Sequence, residues 1–289
     1  MNEILQQLLN GLIIGSSYAL LAVGLTLIFG IMRIVNFAHG EFYMIGGVLC
    51  YYLVQGLQLN YFAALLLAVV LAMGLGAVLE RSILRWLKDQ SIDSTIIVTI
   101  GLSVFIQNVV LLSIGPVPKH IQSPFGNEPL SLVGLTITPV QLFVIGITAL
   151  VIVGFHVLLR HTFVGRAMRA TFSERDAARL VGIDTDRIAS ITFVLGSGMA
   201  ALAGALLGSI YLVYPSMGGV AVLKAFIVVI MGGLGNILGA IAGGLLLGMA
   251  EGLVAGFISS DYSEVIGFVI VIAVLLFKPQ GLFGRKGQV

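Results

Sequence analysis

Residues 4–31 read ILQQLLNGLIIGSSYALLAVGLTLIFGI, twenty-eight positions without a charged side chain. A helix rises about 1.5 Å per residue, so about 20 such residues cross a hydrocarbon core of about 30 Å. The leading charge is Glu3 rather than a basic cluster, and the run exceeds a signal-peptide core, so the reading is a first transmembrane helix. Outward from it, apolar runs recur at about 42–57, 61–80, 95–114, 138–159, 188–214, 236–258 and 262–278. The run at 42–57 is short unless it begins within Asn36–Glu41. A further piece, 218–231, holds Lys224 between Gly218-Gly219 and Gly232-Gly233, as a half-helix or interrupted span does. The runs are continuous, whereas a membrane β-barrel needs alternation over about ten residues. The expected fold is an all-α polytopic membrane protein: one domain over 1–289, a bundle of about 8–9 transmembrane helices with broken or half-helices.

Composition agrees. The chain is 58% hydrophobic and 10% charged, with mean hydropathy +1.10, against about 25% charge in a soluble domain. A soluble enzyme, a nucleic-acid binder and a disordered chain are excluded. The single Cys50 permits no intrachain disulfide and no cysteine metal cluster.

The few charges orient the bundle. Of fifteen basic residues, twelve fall at three places: Arg81, Arg85 and Lys88; six arginines from Arg160 to Arg187; and Lys278, Arg285 and Lys286. The loop 115–137 carries only Lys119 and Glu128 as charged residues. Positively charged loops stay on the cytoplasmic side. The connections at 81–93 and 160–187 and the C-terminus are therefore expected on the cytoplasmic side, with 115–137 outside. The N-terminus is outside if 36–57 crosses fully and inside if it turns back.

The connection 160–187, RHTFVGRAMRATFSERDAARLVGIDTDR, holds the densest charge. Ser173 with Asp176 three positions on is a capping-box-like helix start, and Gly182 fits the left-handed residue that ends a helix. Ala177, Ala178, Leu180 and Val181 give an apolar surface flanked by Glu174, Arg175 and Arg179, and Asp184 or Asp186 is placed to cap the next span. One reading is a solvated loop, positive because it is inside. The other is a docking helix, because the spacing Asp176-Ala177-Ala178-x-x-x-Gly182 resembles the loop by which importer permeases engage an ATPase.

Polar groups inside spans are costly and usually face a cavity or a partner. Asn36, His39 and Glu41 follow the first long run and cannot all face lipid; they mark either a broken helix beside a water-lined route or an ordinary cytoplasmic turn. One histidine and one glutamate offer too few ligands for a metal. Lys224 and Glu251 either pair or line the route, pairing being the simpler reading. Glu80, beside Arg81, is assigned no functional role. Gly235, Gly239 and Gly243 recur every fourth residue, as do Gly244, Gly248, Gly252 and Gly256, and Gly196, Ala200, Gly204 and Gly208, a spacing that lets helices approach closely in lipid. The run Gly233–Gly239 mimics a dinucleotide loop but follows no strand. No Gly-x-x-x-x-Gly-Lys-Ser/Thr loop occurs, so ATP hydrolysis by that route is not expected of this chain.

Several ordered stretches together resemble the permease family of branched-chain amino-acid ABC importers, the LivH type. They are Asn36-Phe-Ala-His-Gly-Glu41, Gly165-Arg-Ala-Met-Arg-Ala170 leading to Leu180-Val-Gly-Ile-Asp-Thr-Asp-Arg187, Lys224-Ala-Phe, Gly232-Gly-Leu-Gly-Asn-Ile-Leu-Gly-Ala240, Gly248-Met-Ala-Glu251 and Pro279-Gln-Gly-Leu-Phe-Gly284. The resemblance implies a non-enzymatic transport subunit that binds no cofactor itself. Its partners would be a second related permease, two cytoplasmic ATPases carrying ATP and Mg, a periplasmic binding protein, and membrane lipid. Arg166, Arg169, Ser173, Glu174, Asp176, Ala177, Ala178 and Gly182 would couple to the ATPase. Relatives that take urea, amides or other amino acids leave the substrate open. The competing classes are an ion-coupled secondary transporter, with Glu41, His39 and Glu251 as its only relay candidates, and a membrane enzyme, for which no nucleophile–base pair is spaced.

Overall fold

The computed structural model describes residues 2–87, 90–126, 128–132 and 134–284. Lys88, Arg285 and Lys286, counted above among the basic residues, lie outside the described residues. Among the described residues, seven helical segments are long and apolar enough to span: α1 (Asn2–Met32), α3 (Tyr61–Leu79) extended by a π-helical turn at Glu80–Leu84 and by α4 (Arg85–Leu87), α5 (Ile92–Ile114), α6 (Pro139–His161), α9 (Thr185–Leu207), α11 (Ile237–Phe257) and α12 (Ser260–Phe277). Two shorter helices join them, α2 (His39–Tyr51), continued by a π-helical turn at Tyr52–Gly56, and α10 (Met217–Gly232). Helices α7 (Phe163–Ser173) and α8 (Arg175–Leu180) lie between α6 and α9, and strands β1 (Leu130–Leu132) and β2 (Leu135–Ile137) form a small antiparallel hairpin. The bundle is all-α in its spans.

Starts and stops follow local chemistry. The side chains of Asn60, Ser91, Thr162, Asp184, Asn236 and Ser259 each accept an N–H from the first turn of the helix they precede, satisfying donors that lipid cannot. Helix α1 stops because Arg33 takes φ +56°, a left-handed backbone that few side chains adopt. The span expected over 188–214 ends early: α9 runs Thr185–Leu207, and the chain then turns back, bridging Val213 to Lys119.

Contacts set the direction of each helix. Gln6 at the start of α1 bonds to Thr136 in the hairpin, so α1 begins at the end of the bundle that holds 115–137. Met32, at its other end, shares a small cavity with Arg85 and Arg175. Those two ends are called here the hairpin end and the arginine end. Residues 278–284 fold against Met231 and Gly232, and Phe172 lies against both Gly30 and Gly235, so the C-terminal segment shares the arginine end with 160–187.

The directions reveal an inverted repeat. Helices α1, α2, α3 and α5 are repeated upside down by α9, α10, α11 and α12, with α6 to α8 as the connection. Two reciprocal contacts lie where the repeats cross. A Cβ on Gly24 would press on the Gly196 carbonyl and one on Gly196 on that of Gly24; Gly40 and Gly218 face each other in the same manner. Helix α1 is the centre of the bundle, buried almost continuously from Gly11 to Met32. It crosses α11 on bare backbone, with Gly11 and Gly15 set against Gly248 and Gly244, the close approach that small residues permit in a membrane. Large apolar side chains such as Leu66, Leu112, Leu150 and Leu276 face outward from α3, α5, α6 and α12.

Candidate functional site

The two half-helices meet inside the bundle. After Met32 the chain reverses at Arg33, doubles back through irregular backbone that ends in a turn at Phe37–Ala38, and restarts as α2 at His39, whose Nε2 donates to the Leu21 carbonyl at 3.2 Å. Leu21 is eleven residues before the end of α1, about 16 Å along its axis and near mid-depth of the core. Helix α2 runs from there to the hairpin end, where the Tyr52 hydroxyl reaches the Ser113 carbonyl at 3.1 Å. Helix α10 starts at the same depth, Gly218 against Gly40, and runs to the arginine end. Both N-termini therefore converge at mid-depth, each carrying about half a positive charge and unpaired N–H groups.

Glu41 stands at that junction. Its Oε1 accepts from the Ser103 hydroxyl of α5 at 2.7 Å, and its Oε2 faces Gly218. Asn36, His39 and Glu41 are all buried, at 0%, 0% and 1% exposure. The Asn36 Oδ1 accepts from the Ala38 N–H at 3.0 Å and so shapes the break. Each residue also holds one buried polar atom with no partner: Asn36 Nδ2, His39 Nδ1 and Glu41 Oε2. A buried group left unsatisfied costs about 1–3 kcal/mol, so this junction is a costly place in this conformation. The break begins at exposed Arg33, at the arginine end, and its polar residues Asn36, His39 and Glu41 lie buried inside the bundle.

Lys224 and Glu251 pair. Lys224 Nζ is 2.5 Å from Glu251 Oε1, and the Tyr18 hydroxyl donates to Glu251 Oε2 at 3.0 Å. On the hairpin side a cavity of about 550 Å³ is lined by Lys224, His120 and four tyrosines: Tyr18, Tyr43, Tyr211 and Tyr214. Those tyrosines are the part of the site that reading along the chain missed. The available signal was hydroxyl-bearing rings set in otherwise aliphatic spans, dispersed over α1, α2 and the 208–216 turn. Glu80, given no role above, is 2% exposed and accepts from the Ser190 hydroxyl at 2.8 Å. The arrangement parallels that of Glu251: a carboxylate on or just past the third helix of one half bonds the first helix of the other, Glu251 to Tyr18 of α1 and Glu80 to Ser190 of α9.

At the arginine end, α7 folds back against α6. A Cβ on Gly165 would strike the Leu158 and Leu159 carbonyls, and the Arg169 guanidinium donates to the Leu159 carbonyl. The Phe172 ring fills the space above Gly30 of α1 and Gly235 of the α10–α11 turn, leaving no room for a Cβ at either. Ser173 does not start a helix: it is the last residue of α7, and the cap of α8 is Glu174, whose side chain makes no cap bond. The physical reason is that Thr162 already caps the start of α7 eleven residues earlier, so the Ser173 region continues that helix until Glu174 takes extended backbone. Gly182 does end α8 in left-handed backbone, φ +85°, and Asp184 caps α9. Arg175 and Arg179 reach Asp186 at 3.3 and 3.6 Å, tying α8 to α9. Arg166, Ser173, Glu174, Asp176 and Ala177 are exposed, Ala178 is buried, and Leu180 and Val181 are bare at 88% and 77%.

Of the expected packing glycines, Gly239 abuts Gly232, Gly243 the Val228 carbonyl and Gly248 Gly15. Gly235 is not on the α11 ridge. It precedes the helix in a turn, at φ +80°, because Asn236 is the cap residue. Among the described residues, no group of three His, Cys, Asp or Glu side chains is placed to hold a metal.

Two discontinuous helices meeting at mid-depth within an inverted repeat define a transport-permease architecture. Residues 7–275 match the family described as branched-chain amino acid transport system / permease component, and the chain belongs to it. It is 38% identical to the high-affinity branched-chain amino acid transport system permease protein LivH of Salmonella typhimurium, over 97% of this chain and 96% of that protein. It is 37% identical, with the same coverage, to the corresponding protein BraD of Pseudomonas aeruginosa. A probable branched-chain amino acid transport permease protein LivH of Methanocaldococcus jannaschii is 28% identical over 96% of this chain and 92% of its own length.

Proposed function

We propose that this chain is the membrane permease subunit of an ATP-binding-cassette importer, moving branched-chain or similar amino acids from a periplasmic binding protein to the cytoplasm. The arginine end faces the cytoplasm of a bacterial inner membrane, in keeping with its basic loops. A second permease completes the pathway, and two ATPase subunits bind ATP and Mg and engage α7–α8 through the exposed face around Asp176, Leu180 and Val181. One observation carries this reading: the Phe172 ring sits between Gly30 and Gly235. Gly30 lies three residues before Arg33, where the first break begins, and Gly235 follows the end of α10. A displacement of α7 therefore bears on both half-helices at once, the kind of packed bistable element through which transporters switch. Separating the half-helix N-termini would open the Asn36–His39–Glu41 junction and let its unpartnered atoms meet water or the carboxylate of a passing amino acid.

Reconstitution into liposomes tests the proposal. Uptake of radiolabelled leucine is expected only when ATPases, ATP and binding protein are all supplied. Flux by the chain alone under a proton or sodium gradient would instead identify an ion-coupled secondary transporter.

A further inference from the structure

We propose that the cleft between α3, α6 and α9 is a binding site for one anionic phospholipid, headgroup at the arginine end and acyl chain in the groove above it. Two cavities form it. The first, about 730 Å³, opens at the arginine end and is lined by Arg81, Arg85 and Arg187 together with Glu80, Asp184 and Asp186. The second, about 490 Å³, runs between α3, α6 and α9 and has no polar side chain in its lining. Met73 and Leu195 line both, so the polar and apolar spaces adjoin.

The three carboxylates of the lower cavity equal its three arginines in number, but each is turned to a partner other than these arginines. Asp184 is committed to capping α9, Asp186 is engaged by Arg175 and Arg179, and Glu80 is buried against Ser190. Arg81, Arg85 and Arg187 have no carboxylate within 4.0 Å among the described residues. The π-helical turn at Glu80–Leu84 helps here, burying Glu80 while leaving Arg81 exposed. Three unpaired guanidinium groups at the membrane surface suit a phosphodiester, which each can grip with parallel N–H groups. A soluble anion would meet the same arginines but would leave the adjoining apolar groove uncovered. A lipid satisfies both, and Trp86 beside Arg85, 76% exposed, marks the headgroup level.

Trp86 is the only tryptophan in the chain and, exposed next to Arg85 in the chain, reports on lipid at the arginine end of the cleft. The full-length chain is placed in phosphatidylcholine vesicles containing either brominated phosphatidylglycerol or brominated phosphatidylcholine, and Trp86 quenching is measured. The brominated anionic lipid is expected to be about fivefold more effective per mole. Arg81→Gln, Arg85→Gln and Arg187→Gln together bring that ratio to about one. Gly154→Leu supplies a second variant: Gly154 lines the apolar groove and a Cβ there meets nothing within 4 Å, so the added side chain starts into open groove. It is expected to lower the anionic preference with all three arginines present. Equal quenching by the two lipids overturns the proposal, as does a preference that survives the arginine substitutions. Relief of quenching by millimolar glycerol phosphate would mean a headgroup-only phosphate site, and no effect of Gly154→Leu would mean no chain in the groove. Quenching that weakens as the chain-to-lipid ratio rises would mean that a second copy covers the cleft. Each of these contradicts a bound lipid.

Discussion

The two halves of the inverted repeat use one backbone device with different chemistry. In the first half the break before α2 carries Asn36, His39 and Glu41, all buried and each incompletely hydrogen-bonded. In the second half the start of α10 holds Met217 and Gly218, and the charge lies further on, as Lys224 paired to Glu251. The carboxylates differ likewise. Glu251 has a lysine and a tyrosine, whereas its counterpart Glu80 has the Ser190 hydroxyl and, among the described residues, no cation within 4.0 Å. On the function proposed above, the two halves would take separate tasks: a charge pair would lock the second, and the first would keep unsatisfied groups where the helices part.

Breaking the lock should have the largest effect. Lys224→Met leaves Glu251 buried without its cation and is expected to cost about 3–5 kcal/mol, read as a large drop in thermal unfolding temperature of the detergent-solubilised protein. The double replacement Lys224→Met with Glu251→Leu should recover most of that stability, since well-packed apolar residues can replace a buried pair. If the double variant is as unstable as the single one, the pair is not the lock. Gly40→Val comes next: its side chain meets the Gly218 carbonyl, and pushing two backbones apart is expected to cost about 3 kcal/mol and to abolish uptake. Wild-type uptake would contradict the closeness of the junction.

Glu41→Gln should be smaller in stability, about 1 kcal/mol, because the amide oxygen still accepts from Ser103. Uptake should nevertheless slow by about tenfold if the junction lines the route; unaltered uptake would reduce Glu41 to a packing residue. Glu80→Gln is the smallest, again about 1 kcal/mol in stability, with uptake close to normal. A loss as large as that of Lys224→Met would erase the contrast between the halves.

Much of this molecule was legible along the chain for a physical reason. A lipid-facing helix must be continuous and apolar, so the spans, the break near Asn36 and the short piece around Lys224 appear as local features. The Lys224–Glu251 pair was readable because two charges in adjacent spans have few other partners. The inverted repeat was not, since direction and depth depend on contacts between distant residues such as Gly24 with Gly196. The tyrosine cavity was hidden for the same reason, its four rings coming from three separate segments. The α7 boundary was misread because Ser173 has the composition of a cap, while Thr162 had already begun the helix. Phe172 had no signal at all: its meaning depends on two glycines, at positions 30 and 235, that only the fold brings to it.

On the proposed function, α7 drives the half-helices through Phe172. The direct measurement is the number of ATP molecules hydrolysed per leucine imported, taken on the assembled importer in liposomes for the wild type and for Phe172→Ala. Hydrolysis is expected to continue while the ratio rises by about tenfold, a coupling loss of about 1.4 kcal/mol. A wild-type ratio in a folded Phe172→Ala protein would contradict it.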